Sequence, residues 1–520
     1  MNPGDSRGFF GGDPATNPLY DDETDVSLLD TTLRDGEQAP GISLTPDEKA
    51  DIARALDRAR VDVIEAGSAC TGEGERRTIK QVTDLDLDAT ITSFARGVQN
   101  DIDLALDCDV DGVTIVVPGS DRHIETKVNT TREEVIADTA ELVEYARDHG
   151  LWTEVIGEDG SRADLEFLEE LMATAFDAGA TRVCYADTVG HAGPERSYEI
   201  VSTLAEYGPV SAHTHDDLGM GLTNALASVA AGADLVHGTV NGLGERAGNV
   251  AIEEVAIALD HSYGIETVDT TQLYSLGQAV AQATGVQLPP NKAVTGENAF
   301  THESGIHTDG TLKDDRMYEP YPPEKVGRER RIVLGKHTGR AGARAALEEH
   351  GVEVDDEELT RVVKRIKEIG DRGKRVTDAD LLAIAEDVKG TDRERRVEVL
   401  DLTAASGGGI PTASVRLRVD DEERVASGTG SGPVDAAVTA VREAIGQVAN
   451  VSLDSYEVDA ITGGTDAVVT VEVEMSRGDH SVTVAKSDTD ITSASVSAMV
   501  DAMDRLLTVP GEEPEVLADD

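Results

Sequence analysis

The sequence is poor in aromatic residues: Phe, Trp and Tyr make up 3% of its 520 residues. Its cores must therefore be filled by Val, Ile, Leu and Ala, which the 39% apolar content supplies. Cysteine is scarce as well. Cys70, Cys108 and Cys184 are odd in number, far apart and without a CxxC spacing. That argues for a reducing compartment such as the cytoplasm, and against a disulfide framework or a cysteine-based zinc site. No apolar run approaches the ~20 residues of a membrane span. The Gly-, Pro- and Asp-rich stretch from Met1 to Asp25 lacks the apolar core of a signal peptide and reads as a flexible leader. Basic residues are also few: 46 Lys and Arg face 101 Asp and Glu, for a net charge of -55. Such a surface repels nucleic acid and anionic membranes. The acids are dispersed along the whole chain, the pattern expected of a protein adapted to a high-salt cytoplasm, where screening is short-ranged.

What is present is a regular alternation. A chain of this length exceeds one ordinary core, so two or three domains are expected. From Val26 to about Leu259 short apolar runs alternate with longer amphipathic ones. The strand candidates are Ser27–Asp30, Val61–Ala66, Thr90–Phe94, Gly112–Val117, Trp152–Ile156, Arg182–Ala186, Val210–His213 and Leu235–Thr239. Between them lie helix candidates such as Pro46–Ala59, Arg132–Asp148, Leu165–Ala178 and Asn224–Ala231. Eight such strands with intervening helices predict a (β/α)8 TIM barrel over 26–270. An open doubly wound sheet is the rival. It would bring a Gly-rich phosphate loop after the first strand, where this chain has LRDGEQ.

Residues 271–392 read as helical linker subdomains with polar loops such as Thr301–Tyr321. Residues 393–511 read as an α+β domain with an internal duplication. Ala413–Val419, Ala467–Glu474 and Ser481–Ala485 alternate like strands, and helices Pro433–Ile445 and Ser493–Leu507 follow, in the order strand–strand–helix twice. This segment carries no cluster of ligands or nucleophiles, which suits a small-molecule sensing or assembly role. Residues 512–520 form an acidic tail.

The chemistry collects at the strand ends, where a TIM barrel places its catalytic groups. The first strand runs into LLDTTLRDGEQ, presenting Arg34, Asp35 and Gln38. The seventh ends in SAHTHDDLG, so His213 and His215 fall on one face of the strand. A lone His there is more often a hydrogen-bonded core residue; two on one face point to a metal, with Asp35 able to add a carboxylate oxygen. The eighth strand leads into NGLGERAGN, where Asn249 offers an amide oxygen, although a Gly-rich turn explains that segment equally well. The fifth ends in EVIGEDGSR, placing Glu154 and Glu158 near the mouth, and the sixth in YADTVG, offering Asp187 and Thr188. Downstream, HESGIHTDG supplies His302 and His307 on a loop, with Tyr318 beyond. Two imidazoles, a carboxylate and an amide leave open positions on a metal for a 2-oxo acid, with an Arg to steady an alkoxide. This reaches metal-assisted chemistry on a carbonyl and does not choose among condensation, cleavage and hydrolysis.

DTTLRDGEQ, HTHDD, NGLGERAGN, HESGIHTDG and LGKHTGR together resemble the 2-isopropylmalate, citramalate and homocitrate synthase family. The similarity runs from about Val26 to the C-terminus. It is closest to the archaeal (R)-citramalate synthases around VDVIEAGSA and PNKAVTGENAFTHESGIH. The resemblance implies an acyltransferase that condenses acetyl-CoA with a 2-oxo acid: pyruvate, in isoleucine biosynthesis, or alternatively 2-oxoisovalerate, in leucine biosynthesis. It implies that Asp35, His213, His215 and Asn249 hold a divalent metal (manganese, zinc or magnesium). By the same resemblance Arg34 contacts the oxo acid and its alkoxide, Gln38 and Thr188 bind substrate, Glu158 sits near the acetyl group, and His307 and Tyr318 support acetyl-CoA activation. It further implies a homodimer in which the linker reaches the partner's barrel, and an amino-acid effector at the C-terminal domain. Two departures stand out: EAGSAC replaces an EAGFP-like run, and EDGSR carries Gly160 where alanine is usual. The first favours pyruvate. The competing readings are a lyase of the same barrel type, cleaving 3-hydroxy-3-methylglutaryl-CoA, and a catalytically dead metal-binding regulator. The long tail after Arg395 speaks against the first, and intact Arg34, Glu158 and His307 against the second.

Overall fold

A computed structural model describes residues 19, 24–371, 376, 378–389, 396–407, 409–420, 422–445, 451–460, 468–477 and 480–508. Most of the expected leader and all of the expected acidic tail lie outside the described residues. The chain forms two compact units, residues 1–300 with 319–330, and residues 301–318 with 331–520.

The first unit is a closed barrel of eight parallel strands in sequence order. They are β1 (Ser27–Asp30), β2 (Val63–Glu65), β3 (Thr90–Arg96), β4 (Gly112–Pro118), β5 (Trp152–Glu158), β6 (Arg182–Asp187), β7 (Val210–Thr214) and β8 (Ala233–Gly238). β1 pairs with β8 through Leu29 opposite His237, which closes the ring. All eight strands expected from the sequence are present, within a few residues at each end. Parallel strands buried on both faces read as continuous apolar runs, which is why short Val- and Ile-rich segments revealed them. Helix α1 (Pro46–Arg58) follows β1 and starts with a capping box between Thr45 and Glu48, with Pro46 in its first turn. Helix α4 (Arg132–Asp148) follows β4 and buries Val135, Thr139, Leu142, Val143 and Ala146, a stripe at helical spacing. With few aromatics available, Val, Ile, Leu and Ala dominate the packing between strands and helices.

The second unit has two separate cores. The first gathers Leu334, Leu347, Leu359, Val362, Ile366 and Leu381, largely from helices α11 (Arg340–Glu349), α12 (Asp356–Gly370) and α13 (Asp378–Lys389). The other belongs to a duplicated module. Strands β11 (Val397–Ala405), β12 (Thr412–Val419) and β13 (Glu422–Thr429) form an antiparallel sheet backed by α14 (Pro433–Ile445). Strands β14 (Ser452–Ala460), β15 (Val469–Arg477) and β16 (His480–Asp488) repeat it with α15 (Ile491–Thr508).

Each repeat therefore holds three strands before its helix, which corrects the expected strand–strand–helix. β12 and β15 are the central strands and alternate cleanly; the missed β11, β13 and β14 are edges, whose polar residues blur the alternation. A second correction concerns Thr301–Tyr321, expected as a loop. It contains the short strand β9 (Thr301–His302), paired with β10 (Arg331–Ile332), and helix α10 (Gly305–Lys313). Two glycines in GIHTDGTLK mask that helix, so His307 lies on a helix and not on a loop. No helix among the described residues is long and apolar enough to cross a membrane.

Candidate active site

The chain leaves β1 in a tight turn, with the N–H groups of Asp35 and Gly36 both donating to the Thr31 carbonyl at 2.8 and 3.0 Å. This turn aims Arg34 and Asp35 back over the barrel mouth. Arg34 Nε donates to Glu65 at 2.6 Å, its Nη1 to Asp35 at 2.9 Å, and its guanidinium lies 4.7 Å above the Phe94 ring. Glu65 is itself pinned by the hydroxyls of Thr31, at 2.6 Å, and Thr114. Burial opposes the charge on Arg34, but Glu65 and Asp35 outweigh it and raise its pKa. A fork held this firmly presents its remaining N–H donors in a fixed plane.

β7 carries His213 inward, and His215 follows just beyond its end. One oxygen of Asp35 and one ring nitrogen of each histidine all lie within 4.8 Å of one another. His213 Nε2 is 3.6 Å from Asp35, and His215 Nδ1 is 3.3 Å from the Asp187 carbonyl oxygen, which leaves His215 Nε2 for a ligand. Burial, then His215, pushes the His213 pKa well below its usual value, so the ring is neutral and able to ligate. Burial alone would raise the Asp35 carboxyl, but Arg34, His213, His215 and the Asn249 amide hold it at about 2. It is a carboxylate at neutral pH.

Asn249 reaches the same point from the loop after β8. Its Nδ2 donates to the Leu243 carbonyl at 3.0 Å, while its buried Oδ1 receives no hydrogen bond. The backbone holds it there. His215 and Asn249 form an antiparallel bridge, with Asp216 N–H donating to Gly248 O at 2.9 Å and Val250 N–H to Thr214 O at 3.0 Å. Gly248 sits at φ +89°, and a Cβ there would strike the Gly242 carbonyl oxygen, so this turn requires glycine. An orphaned buried carbonyl beside two imidazoles and a carboxylate fits a divalent metal. The four donors named from the sequence are thus brought together.

Beside them opens a cavity of about 260 Å³, lined by Arg34, Asp35, Gln38, Glu158, Thr188, His213 and His215, with an apolar wall of Phe94, Val116, Ile156 and Ala186. Glu158, at the end of β5, is chelated by Lys127 Nζ at 2.6 Å to both oxygens, with His123 Nδ1 3.1 Å away. Lys127 and His123 lie on a π-helical turn, a local irregularity common at functional sites. The Thr188 hydroxyl accepts from Asp159 N–H at 2.8 Å, which leaves its own O–H to donate. Asp187, in contrast, is spent on the backbone, accepting from the N–H groups of His191 and Ala192. Glu154, which the sequence reading put near the mouth, does not line the cavity: it is the third residue of β5, two before the wall residue Ile156, fully buried and paired with His237. His307 and Tyr318 belong to the second unit, where their rings lie side by side at 4.3 Å.

Sequence reasoning missed Glu65, Phe94 and the rim pair Glu245–Arg246. Glu65 alone gave a signal, as an acid inside the apolar run VDVIEAG.

Residues 25–280 match the HMGL-like family, 294–374 the homocitrate synthase post-HMGL domain-like family, and 375–507 the LeuA allosteric (dimerisation) domain. A protein of Methanocaldococcus jannaschii named (R)-citramalate synthase CimA is 47% identical over 93% of this chain and 99% of its own. Two relatives bearing that name as a provisional assignment are each 50% identical. The one from Methanothermobacter thermautotrophicus matches over 93% of this chain and 98% of its own, the one from Methanopyrus kandleri over 94% and 98%. Among solved structures, an HMG-CoA lyase from Brucella melitensis is 20% identical and covers 50% of this chain and 99% of its own, with a TM-score of 0.46.

Proposed function

This chain belongs to the (R)-citramalate synthase family, and from that premise we propose that it condenses acetyl-CoA with pyruvate to give (R)-citramalate and free coenzyme A. One observation carries the assignment of the site. Asp35, His213 and His215 converge at the barrel mouth with the orphaned Asn249 Oδ1, directly beside the anchored guanidinium of Arg34. These four residues would hold a divalent cation, which would supply Lewis acidity to the ketone of the oxo acid. Arg34 steadies the oxygen of that ketone as it becomes an alkoxide, using donors that Glu65 and Asp35 leave free. Thr188 donates to the substrate carboxylate, with Gln38 at the rim. The methyl of pyruvate faces the wall of Phe94, Val116, Ile156 and Ala186.

Acetyl activation falls to Glu158 together with His307 and Tyr318. The acetyl methyl gives its proton to a base among these residues, the carbanion adds to the ketone carbon as its C=O π bond opens to an alkoxide that is then protonated, and water cleaves the thioester to leave a carboxylate and the free thiol. Lys127, itself exposed, keeps the Glu158 carboxylate at the cavity edge. The match of residues 375–507 to a dimerisation domain supports a homodimer, and its allosteric character supports feedback by isoleucine.

The test is thiol release from acetyl-CoA with pyruvate and 2-oxoisovalerate side by side. Discrimination by one or two methyl groups is worth ~1–3 kcal/mol, so kcat/KM should favour pyruvate by roughly 10- to 200-fold. The reverse preference makes the enzyme an isopropylmalate synthase. Thiol release without any oxo acid refutes condensation altogether.

A further inference from the structure

Below the metal donors the barrel interior holds a second group of buried polar side chains that the chemistry above leaves unused. Glu154 on β5, Ser211 on β7 and His237 on β8 are at most 1% exposed. His237 Nε2 lies 3.3 Å from Glu154 Oε1 and 3.2 Å from Oε2. The Ser211 hydroxyl donates to Glu154, and Arg182 Nε sits 3.7 Å from the same carboxylate while donating to Ser211 at 2.8 Å. The carboxylate is thus fixed from three sides, and His237 is fixed by it.

His237 pairs in register with His213 across β7 and β8. The two rings meet edge to face, with centroids 5.7 Å apart and planes at 88°. The contact matters because of what His213 lacks. A metal-bound imidazole is normally oriented by a hydrogen bond to its other nitrogen. His215 has such an acceptor in the Asp187 carbonyl, whereas the buried Nδ1 of His213 has no protein partner. Among protein groups, the rings packed on His213 are what fixes its direction, with His215 at 5.0 Å and His237 at 5.7 Å.

We propose that Glu154 and His237 are a positioning pair that orients the metal ligand His213 by ring packing in place of the missing hydrogen bond. The proposal rests on His213 ligating the metal. Glu154, Cys184 and His237 also have donor atoms within 4.8 Å of one another, as a buried metal site of their own would need. The positive charge of Arg182 beside Glu154 and the donated Ser211 hydroxyl oppose a cation there.

The experiment uses the full-length protein, stripped with a chelator and titrated with Co²⁺. The readouts are the visible absorption band and calorimetric affinity, with circular dichroism and melting to confirm the fold. His237→Leu keeps bulk but cannot be anchored by Glu154; Glu154→Gln removes the charge that anchors the ring; His237→Gln retains a bond to Glu154. Loss of an outer-shell support lowers metal affinity by about 10- to 100-fold. That loss, with a shifted cobalt band, is expected for His237→Leu and Glu154→Gln, and His237→Gln should recover part of it. A folded His237→Leu protein with parental affinity and spectrum overturns the proposal. Failure of all three variants to fold does so too, since the pair would then serve the barrel as a whole. A second equivalent of cobalt in the parent, lost in Glu154→Gln, replaces the proposal with a metal site. A parent that binds no cobalt at all, or a His213→Ala protein that binds as well as the parent, overturns the metal assignment beneath it.

Discussion

The two units bury polar groups very differently. In the barrel, Asp30, Asp35, Glu65, Glu154, Asp159, Asp187 and Glu253 all lie buried, together with His213, His215 and His237. In the duplicated module of the second unit, the buried polar residues among those described are Thr492, Ser495 and Asp504. Its core is otherwise Val, Ala, Leu and Met with Ile445. A buried carboxylate is costly unless it is paired and hydrogen-bonded. The barrel meets that cost with Arg34, Arg182 and a set of threonine hydroxyls, and what it gains is a rigid arrangement of charges around a cavity. Among its described residues the module has no such arrangement, and its packing suits the proposed assembly and sensing.

Substitution at the metal donors should separate the units most sharply. His213→Ala is expected to weaken metal binding by more than roughly 100-fold, beyond what outer-shell losses produce, and to abolish turnover, while the second unit keeps its fold. Asp35→Asn should affect rate more than binding. Full metal occupancy in purified His213→Ala protein would remove the basis of the comparison.

Arg34→Lys comes next. Lysine keeps the charge but cannot bond Glu65 and Asp35 in one plane. Loss of one well-placed donor to a developing oxyanion costs about 10²- to 10³-fold in kcat, with metal still bound. Near-parental turnover would make Arg34 a structural residue.

A chain ending at Lys389 cuts between the two cores of the second unit. It should still melt cooperatively and bind metal, and it should lose feedback inhibition by isoleucine. Inhibition that survives unchanged would place the effector site outside the duplicated module.

Ionic strength should act on both units alike, because the 101 acids are spread through the whole chain. The Debye length grows from about 3 Å at 1 M salt to about 30 Å at 0.01 M, so self-repulsion rises as salt falls. Melting temperature and activity should both climb from dilute buffer to molar KCl. A transition that moves in one unit only would show that its acids serve another purpose.

The smallest expected effect is a pH slope confined to the barrel. Burial raises the carboxyl of Asp30 from 3.8 to about 7, against the hydrogen bonds from Thr32. Between those values the folded chain binds a proton that the unfolded chain has released. This contribution to stability is therefore present at low pH and is lost as pH rises through about 7. Asp30→Asn should flatten the pH dependence of unfolding in this window by up to about 1.4 kcal/mol per pH unit. An unchanged slope would mean that another group carries it.

The barrel was legible in the sequence because its strands are buried on both faces and its ligands follow them at fixed places. His213 and His215 declared themselves by a spacing of two, and Asp35 by an acid straight after a strand. Glu154 was misplaced because a strand residue's depth in the barrel depends on register with its neighbours, and that is set by closure. Glu65 and His237 went unread for a related reason: each is one polar residue in an apolar run, and its role comes from partners on other strands. The edge strands β11, β13 and β14 were lost, whereas the edge strand β16 was read as Ser481–Ala485 because Val482 and Val484 alternate there with polar residues.

The bridge between His215 and Asn249 bears on the proposed metal site. These donors ride on backbones that are hydrogen-bonded to each other, so the gap between them is gauged by peptide geometry. A jaw of this kind has a preset bite. If the proposed metal is held here, short bonds of ~2.0–2.1 Å, such as zinc to nitrogen or magnesium to oxygen, would suit donors tied this closely. Calcium, which takes six to eight oxygens at about 2.3–2.6 Å, would suit a site with two imidazole donors less well.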